Sequence, residues 1–219
     1  MQRCHDQELM DAEGVSEEEL TKVYRQLQMV HRWLGNSNVV LRLLRQGSRP
    51  VSRVLDIGCG QGGLLLEIRE RLGVEVMGFD LRPAPRGASV PIVTGNAVTD
   101  SLPPADVAVC VMMAHHLSEA ELAEMIRNVS RSCERFILLD LIRHPAPLAL
   151  FRMFFTPWLS RINALDGQTS IRRAYTAGEM RRIVDGALTQ GSRPVKSVRH
   201  TVSPLWIRQV VDILWEPVA

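Results

Sequence analysis

A glycine-rich turn offers the clearest chemistry in this sequence of 219 residues. It runs from Gly58 to Gly63 and reads Gly-Cys-Gly-Gln-Gly-Gly, between a strand-like run at 54–57 and a helical stretch that ends at Leu72. Glycines at such a turn let a ligand approach the backbone closely, beside the N–H groups that begin the helix. The pattern fits both G-x-G-x-G and the G-x-G-x-x-G of dinucleotide sites, so it predicts a nucleotide-type ligand without choosing between two classes.

Two carboxylates narrow the choice of ligand. Asp80 ends the next predicted strand, where it suits the hydroxyls of a ribose. Asp56 lies two residues before the turn, at a position that is normally apolar in a dinucleotide fold. A carboxylate there repels a pyrophosphate and favours a cation. S-adenosylmethionine carries an ammonium and a sulfonium, so Asp56 favours this cofactor over a dinucleotide.

A histidine pair is the best candidate for catalysis. His115 and His116 directly follow the predicted strand 107–111, at the carboxyl edge of the sheet where ligands of open α/β folds bind. Histidine titrates near neutrality, so either imidazole could accept the proton of an acceptor hydroxyl during methyl transfer. A structural or cofactor-shaping role for the pair is the open alternative.

Elements that alternate between strands and helices must position these residues. This alternation predicts an α/β fold with a doubly wound, mostly parallel sheet, and the last two strands are expected to pair as a hairpin. The predicted strands are 54–57, 74–79, 90–93, 107–111, 136–141, 195–202 and 205–215. The predicted helices include 17–34, which begins at the capping-box pair Ser16/Glu19, a second one before Gly47, and two that begin at the pairs Ser118/Glu121 and Thr176/Glu179.

The chain is expected to form a single domain, 1–219, in four parts. These are an N-terminal helical cap (1–48), a core that binds the cofactor (50–145), a helical lid insert rich in Pro, Phe, Met and Trp (145–175), and a C-terminal helix with a hairpin (176–219). The insert includes the polar stretch 166–170, which is predicted to be a turn.

Composition excludes several classes of protein. The chain is 46% hydrophobic and has a net charge of +2, which rules out a disordered chain and argues against a dedicated nucleic-acid binder. Four cysteines without a CxxC pair, and no signal peptide, predict a reduced, cytoplasmic setting. No stretch is apolar for long enough to span a membrane.

The run Val54-Leu55-Asp56-Ile57-Gly58-Cys59-Gly60-Gln61-Gly62 resembles the first motif of the class I S-adenosylmethionine-dependent methyltransferases. The resemblance implies a Rossmann-like sheet of seven strands with an antiparallel C-terminal strand, and S-adenosylhomocysteine as the product. The turn Gly95-Asn96-Ala97 departs from the family's usual Gly-Asp-Ala. The implied cofactor-binding residues are Asp56, Gly58, Cys59, Gly60, Gly62, Asp80, Leu81, Asn96, Ala97 and Cys110.

The N-terminal helices and the run 166–176 are similar to small bacterial methyltransferases associated with polyketide pathways. This similarity implies O-methylation of a small, hydrophobic, phenolic or enolic acceptor. An apolar pocket formed by the insert and the first helix would suit such a molecule. The candidate acceptor-binding residues are Tyr24, Trp33, Phe154, Trp158, Arg172 and Tyr175.

A metal is not expected beside the fifth strand. Asp140 ends that strand, but Leu141 stands where an Asn would complete the acidic cluster of catechol-type methyltransferases. Three other functions stay open: methylation of RNA or protein, a dinucleotide-dependent oxidoreductase, and a regulatory protein that binds the cofactor without catalysis. The sequence is compatible with a monomer or a homodimer.

Overall fold

The structure of the chain is a computed structural model. It describes residues 1–6, 8, 9, 17–47 and 49–217, and for residues 17–21, 24, 28 and 31 it describes the backbone alone. The predicted capping box of Ser16 and Glu19 therefore lies outside the described side chains. None of the described helices is long and apolar enough to cross a membrane.

Strands and helices alternate along the described part of the chain as predicted. The strands are β1 (Arg53–Ile57), β2 (Glu75–Asp80), β3 (Ile92–Thr94), β4 (Ala105–Val111), β5 (Cys133–Leu141), β6 (Val195–Val202) and β7 (Arg208–Trp215). The α-helices are α1 (Glu17–Leu34), α2 (Asn36–Arg45), α3 (Gly63–Leu72), α4 (Glu119–Ser132), α5 (Pro145–Phe154), α6 (Arg161–Arg173) and α7 (Ala177–Gln190). Short 3₁₀ helices cover Ala114–His116, Thr156–Trp158 and Pro204–Trp206.

All these strands form one sheet in the order β3-β2-β1-β4-β5-β7-β6. Strands β1 to β5 pair in parallel, and β7 runs antiparallel to both β5 and β6. The predicted Rossmann-like sheet with an antiparallel C-terminal strand is thus confirmed. The strand order reverses between β1 and β4, and the ligand crevice of such sheets lies outside the carboxyl ends of the strands at this point. The glycine turn follows β1 and the histidine pair follows β4, so both reach the crevice.

The core lies on both faces of the sheet. Residues Val107 to Cys110 of β4 are all buried, as expected for a parallel strand that is covered on both sides. Helices α4 and α7 pack together on one face, and α2 and α3 on the other. An ion pair joins β5 to β7 at the far end of the sheet, where the Arg135 guanidinium donates to both carboxylate oxygens of Asp212 at 2.8 and 2.7 Å.

Two predicted helix starts are confirmed in detail. The Ser118 hydroxyl accepts from the backbone N–H of Glu121, and the Glu121 carboxylate accepts from the backbone N–H of Ser118 at 2.8 Å. Thr176 and Glu179 form the same reciprocal pair at the start of α7. Such pairs satisfy two backbone donors at a helix start, which is why the sequence alone located these boundaries.

The predicted turn at 166–170 is wrong, because this stretch lies inside α6. The polar side chains that indicated a turn are held by tertiary contacts instead. The buried Asp166 carboxylate accepts from the backbone N–H of Leu9 at 2.7 Å, and the Ser170 hydroxyl donates to the Glu8 carboxylate at 2.6 Å. Smaller differences concern strand ends: β3 begins at Ile92, and β7 begins only after the 3₁₀ helix Pro204–Trp206.

Replacement of Gly167 by Ala should destabilise the protein. A Cβ at this position would lie 2.2 Å from the Cζ atom of Phe151, so α5 and α6 would have to separate. We expect the free energy of unfolding to fall by about 1–3 kcal/mol, as for other overpacked contacts. The control is Gly186→Ala in α7, where a Cβ meets nothing within 4 Å and should add up to about 1 kcal/mol of helix propensity. Urea denaturation of both variants measures the difference, and equal stabilities would contradict this account of the contact.

Candidate active site at the carboxyl edge of the sheet

The glycine turn has a backbone that other residues would strain. Gly58, Gly60 and Gly62 have φ angles of 73°, 54° and 76°, in the left-handed region. A Cβ on Gly58 would also lie 2.6 Å from Cγ of Met113, and a Cβ on Gly62 would lie 2.5 Å from a methyl carbon of Val90. Space around Gly60 is open, since a Cβ there meets nothing within 4 Å. The open side of the turn is therefore where a ligand can approach the backbone.

Asp80, at the end of β2, lies directly against this turn. One carboxylate oxygen accepts from the backbone N–H of Gly60 at 2.7 Å, and the other accepts from the N–H of Arg82 at 2.9 Å. Each oxygen keeps a further lone pair, so the carboxylate can still accept from two ribose hydroxyls. Leu81 is 71% exposed beside it and offers an apolar surface to a ligand.

Asp56 is buried under the turn. Burial, and secondarily the charge of Asp80, raise the pKa of Asp56 to about 8. The side chain is therefore a neutral acid at pH 7 until a cation approaches it. Burial also raises the pKa of the Cys59 thiol to about 12 and that of the Cys110 thiol well above its usual value, so neither cysteine is a nucleophile.

The turn after β3 is held by its own side chains. The Asn96 side-chain oxygen accepts from the N–H of Val98 at 2.9 Å, and the Asp100 carboxylate accepts from the N–H of Asn96 at 2.8 Å. The buried Asn128 amide donates to the carbonyl oxygens of Ala97 and Asp100. Asn96, a predicted cofactor-binding residue, thus uses its side-chain oxygen to fix the turn. Sequence reasoning missed Asp100 and Asn128, which are distant from each other in the chain.

His115 is held between two carboxylates. Its ring Nδ1 lies 2.7 Å from one oxygen of Asp140, and its backbone N–H donates to the other oxygen at 2.7 Å. Its Nε2 lies 3.7 Å from the Glu8 carboxylate. Burial alone would lower the pKa of His115, but the two carboxylates outweigh it and raise the pKa to about 9. His115 is therefore an imidazolium at neutral pH.

The pKa of His116 is shifted in the direction opposite to that of His115. Its ring centroid is 4.3 Å from that of His115, and 32% of its side chain is exposed. Burial and the charge of His115 lower the pKa of His116 to about 4. The exposed third of the side chain weakens the effect of burial, but the neighbouring charge acts in the same direction. His116 is therefore neutral at pH 7 and has solvent access.

The described N-terminal residues 1–6, 8 and 9, which we call the N-terminal strap, cover one side of the histidine pair. Glu8 is buried, and although burial raises its pKa, the two histidines and Ser170 lower it to about 2. Arg3 donates to the carbonyl oxygens of Arg173 and Leu117, and its guanidinium stacks on the Tyr175 ring. No sequence signal pointed to Glu8, because its partners lie more than 100 residues away.

Glu8, His115 and His116 also have the residue types of a metal site. One ligand atom from each lies within 4.8 Å of the others. Ion pairing and hydrogen bonding account for two of these groups without a metal, however, since His115 faces a carboxylate at each ring nitrogen and Glu8 accepts from Ser170. Zinc ligands would instead need a free lone pair on each histidine.

The candidate acceptor residues do not converge on one pocket. Trp33, Phe154 and Trp158 are 60%, 57% and 75% exposed. Tyr175 is fully buried and its hydroxyl donates to the carbonyl of Leu117 at 2.7 Å, so its predicted role at an open pocket gives way to a structural one. Arg172 is half-buried, and its carbonyl accepts from the N–H of Cys4. Tyr24 lies in α1, with its side chain outside the description.

The cofactor candidates, by contrast, line one edge of the sheet. Asn96, Asp80, Gly58 and His116 follow β3, β2, β1 and β4, which are neighbours in that order. Met113 connects the last two, because its side chain packs on Gly58 and its carbonyl accepts from the N–H of His116 at 2.9 Å. A cavity of about 850 Å³ at the opposite edge, lined by residues such as Arg53, Asp106 and Arg193, contains none of the predicted site residues. The fold and this edge define an α/β enzyme with a nucleotide-type site.

Comparison with known proteins identifies the family. A family model described as a methyltransferase domain matches residues 26–164, which is more than half of the chain. The chain belongs to this methyltransferase-domain family, and the predicted class, an S-adenosylmethionine-dependent methyltransferase, is confirmed. No curated protein matches the sequence.

Solved structures with the same fold differ widely in sequence. The plantazolicin methyltransferase BpumL, in complex with a monoazolic desmethylPZN analog and SAH, has a TM-score of 0.69 and 11% identity over 91% of each chain. A putative O-methyltransferase from Nostoc punctiforme has a TM-score of 0.62 and 16% identity over 95% of this chain and 64% of its own. Magnesium protoporphyrin IX methyltransferase (ChlM) from Synechocystis, with bound SAH, has a TM-score of 0.54 and 16% identity over 94% and 90%. At these low sequence identities, the similarity to the three structures establishes a shared fold and nothing more.

Replacement of Asp80 by Ala should weaken the binding of S-adenosylhomocysteine. The variant would lose the carboxylate that is predicted to accept from the ribose hydroxyls. Because hydrogen bonds to a charged group contribute roughly 1.5–3 kcal/mol each, we expect the dissociation constant to rise about tenfold or more. Isothermal titration calorimetry measures it. The matched control is Asp106→Ala, since Asp106 likewise accepts from two backbone N–H groups but lies at the opposite edge of the sheet. Unchanged affinity in a folded Asp80→Ala variant would refute the assignment.

Replacement of Asp140 by Asn should destabilise the protein by an amount that depends on pH. The folded-state pKa of His115 is raised from 6.5 to about 9, so the stabilisation is fully present below pH 6.5 and is lost as pH rises through 9. We expect a loss of about 3 kcal/mol at pH 6 and a smaller one at pH 10. The control is Asp212→Asn, because its partner Arg135 stays charged and its cost should not change over this range. Urea denaturation at both pH values gives the comparison, and parallel losses in the two variants would contradict the charged state of His115.

Proposed function

We propose that the protein transfers a methyl group from S-adenosylmethionine to an oxygen atom of a small, hydrophobic, phenolic or enolic acceptor, with His116 as the general base. The observation that carries this proposal is the asymmetry of the histidine pair. One imidazole is charged and fully enclosed, whereas its neighbour is neutral and partly exposed at the carboxyl edge. A general base must be neutral, so that it can accept a proton, and it must be accessible to the acceptor, and His116 meets both conditions.

The strand order supports an extended cofactor along this edge. The turn of Asn96 and Ala97 would hold the adenine, Asp80 would accept from the ribose hydroxyls, and the glycine turn would hold the methionine part, with Asp56 near its ammonium. These residues lie at the ends of β3, β2 and β1 in order. Met113 joins the glycine turn to His116, so a methyl donor held in this way would have His116 within the same part of the site.

Methyl transfer is a displacement at carbon with an activated leaving group. The acceptor oxygen forms the new C–O bond as the C–S bond breaks, and the acceptor proton passes to Nε2 of His116. Glu8 lies 3.8 Å from this nitrogen and stabilises the imidazolium that forms. Orientation of the acceptor supplies most of the acceleration, and the base adds about 10² to 10⁴-fold.

The low pKa of His116 limits which acceptor hydroxyls it can deprotonate. A weak base takes a proton efficiently only from an acidic hydroxyl, such as an enol or a phenol activated by a carbonyl group. The similarity of the run 166–176 to methyltransferases of polyketide pathways favours a hydrophobic molecule, and the near-neutral net charge of the chain does not favour RNA. Since the solved structures of this fold range from a desmethylPZN analog complex to a magnesium protoporphyrin IX methyltransferase, the acceptor class rests on the residues of this chain.

No metal takes part in this proposal. His115 acts as a fixed positive charge that positions the turn and keeps His116 neutral, with Nδ1 bonded to Asp140 and Nε2 facing the Glu8 carboxylate at 3.7 Å. The rate should therefore be insensitive to chelating agents.

Replacement of His116 by Gln should lower kcat about 10²-fold at pH 7 while the affinity for S-adenosylhomocysteine holds, because the proton must then leave to water. The deficit should shrink as pH rises, since an ionised acceptor needs no base. Initial rates between pH 6 and 9, with a simple phenol and a cyclic 1,3-diketone as acceptors, provide the measurement. His200→Gln is the control, because His200 is also half-buried but lies on β6, an outermost strand of the sheet, three strands away from β4. Near-normal rates in His116→Gln at neutral pH would leave orientation as the sole source of catalysis.

A further inference from the structure

One face of the molecule exposes large aromatic and apolar side chains, which we call the aromatic face. It consists of Trp33 at the end of α1, Met153 and Phe154 at the end of α5, Trp158 in the following 3₁₀ helix, and Leu205 and Trp206 between β6 and β7. These side chains are between 48% and 75% exposed. Single exposed apolar residues are ordinary, but a contiguous group of this size on a soluble protein marks an interaction surface.

Contacts with α5 bring the members of the aromatic face together. The Trp33 ring lies 6.1 Å from Phe155, which stacks on Phe151 of α5 at 5.6 Å. At the other end of α5, the Trp206 ring stacks on His144, the helix N-cap, at 4.5 Å. The 3₁₀ helix that carries Trp158 packs on both α5 and α6. The exposed aromatic residues therefore lie on segments that all pack on α5, with Trp206 at its start and Trp33, Phe154 and Trp158 at its end.

Backbone strain helps to hold part of this face outward. Leu205 and Trp206 have φ angles of 59° and 52°, a conformation that costs residues other than glycine about 1 kcal/mol or more each. Such strain persists at sites where the exposed side chain has a function. Here it presents two large apolar side chains to solvent at a turn where glycine would have been easier to fold.

The charges around the aromatic face have one sign. No Asp or Glu occurs in residues 20–55, 141–165 or 186–211, which supply α2, α5, β6, most of α1 and the first half of β7. The same ranges contain exposed arginines, among them Arg32, Arg152 and Arg161. None of these three forms an ion pair with a carboxylate among the residues that the structure describes. The face is thus apolar, aromatic and positively charged.

We propose that the aromatic face docks on the surface of a bilayer that contains anionic lipids. Tryptophan and phenylalanine side chains are the ones that partition into the headgroup region, and arginines beside them pair with lipid phosphates. The side chains protrude from separate elements, which suits insertion into a soft interface better than a fit to a folded protein partner.

The position of the face relative to the site gives this docking a use. Helix α6 begins beside the aromatic face at Arg161 and ends at the histidine pair, where Ser170 bonds to Glu8. Its 13 residues span about 20 Å. Docking would therefore bring the site to within about one helix length of acceptors dissolved in the bilayer. This use of the docking depends on the proposed function, whereas the docking itself does not.

Flotation with lipid vesicles tests the docking without cofactor or acceptor, so its result is separate from that of the methyl-transfer assays. The full chain is mixed at low salt with vesicles of phosphatidylcholine alone or of phosphatidylcholine with one third phosphatidylglycerol. We expect binding to the anionic vesicles and at least tenfold less to the neutral ones. Phe154→Ser/Trp158→Ser should lower the partition coefficient at least tenfold, and Arg152→Gln/Arg161→Gln should do so for anionic vesicles.

Matched controls separate this face from the rest of the surface. Val195→Ser removes an exposed apolar side chain at the far end of β6, and Arg86→Gln/Arg182→Gln removes two exposed charges elsewhere. Both should bind like the wild-type protein. Because Trp158 is three-quarters exposed, the single variant Trp158→Ser tests the idea if the double variant fails to fold. Failure to bind anionic vesicles, binding that is equal for both lipids, or equal losses in target and control variants would overturn the proposal, and capture of an acidic protein without vesicle binding would identify a different partner.

Discussion

The candidate site depends on the hydrogen bonds that the carboxylate of Asp140 accepts. This carboxylate stands at the end of β5, where it accepts from both the backbone N–H and the ring of His115. The turn after β4 is thereby fixed to the neighbouring strand rather than left as a free loop. The charge that Asp140 induces on His115 then attracts Glu8, which brings the N-terminal strap and α6 onto the same point. One buried anion thus orders three segments that are far apart in the chain.

A second constraint is the lack of room around the glycine turn. Met113 and Val90 occupy the space that side chains on Gly58 and Gly62 would need, so the turn after β4 and the loop before β3 pack against the glycine turn and fix its position. Of these three glycines, Gly60 is the one that faces open space. Gly58 and Gly62 are therefore needed for packing within the protein, whereas Gly60 leaves room for a ligand. This division explains how a motif associated with binding is also part of the folding core.

The parts of the structure that the sequence predicted are those with local signals. The alternation of strands and helices, the capping boxes at Ser118 and Thr176, and the glycine turn each depend on residues a few positions apart, and all agree with the structure. Asp80 and the histidine pair were located because they follow strands whose ends meet at one edge. The division of labour within that pair was not predictable, since it arises from Asp140 and Glu8 across the fold.

The errors have the same cause. The polar run at 166–170 has the composition of a turn, yet Asp166 and Ser170 are polar because they bond to the N-terminal strap, and Gly167 is small because the Phe151 ring lies against it. Tyr175 resembled a pocket residue but is a buried anchor for the carbonyl of Leu117. In each case the residue type is explained by a contact with a segment that is distant in the sequence, so no local sequence pattern could predict it.

The buried acid at Asp56 has a thermodynamic consequence. With a pKa of about 8, it carries a proton at pH 7 in the free protein, held there by burial and by the nearby charge of Asp80. A ligand whose ammonium pairs with Asp56 must displace this proton into solution. The heat of association then includes the ionisation of the buffer, so calorimetric enthalpies differ between phosphate and Tris at the same pH. The apparent affinity rises with pH up to about 8 and levels off above it.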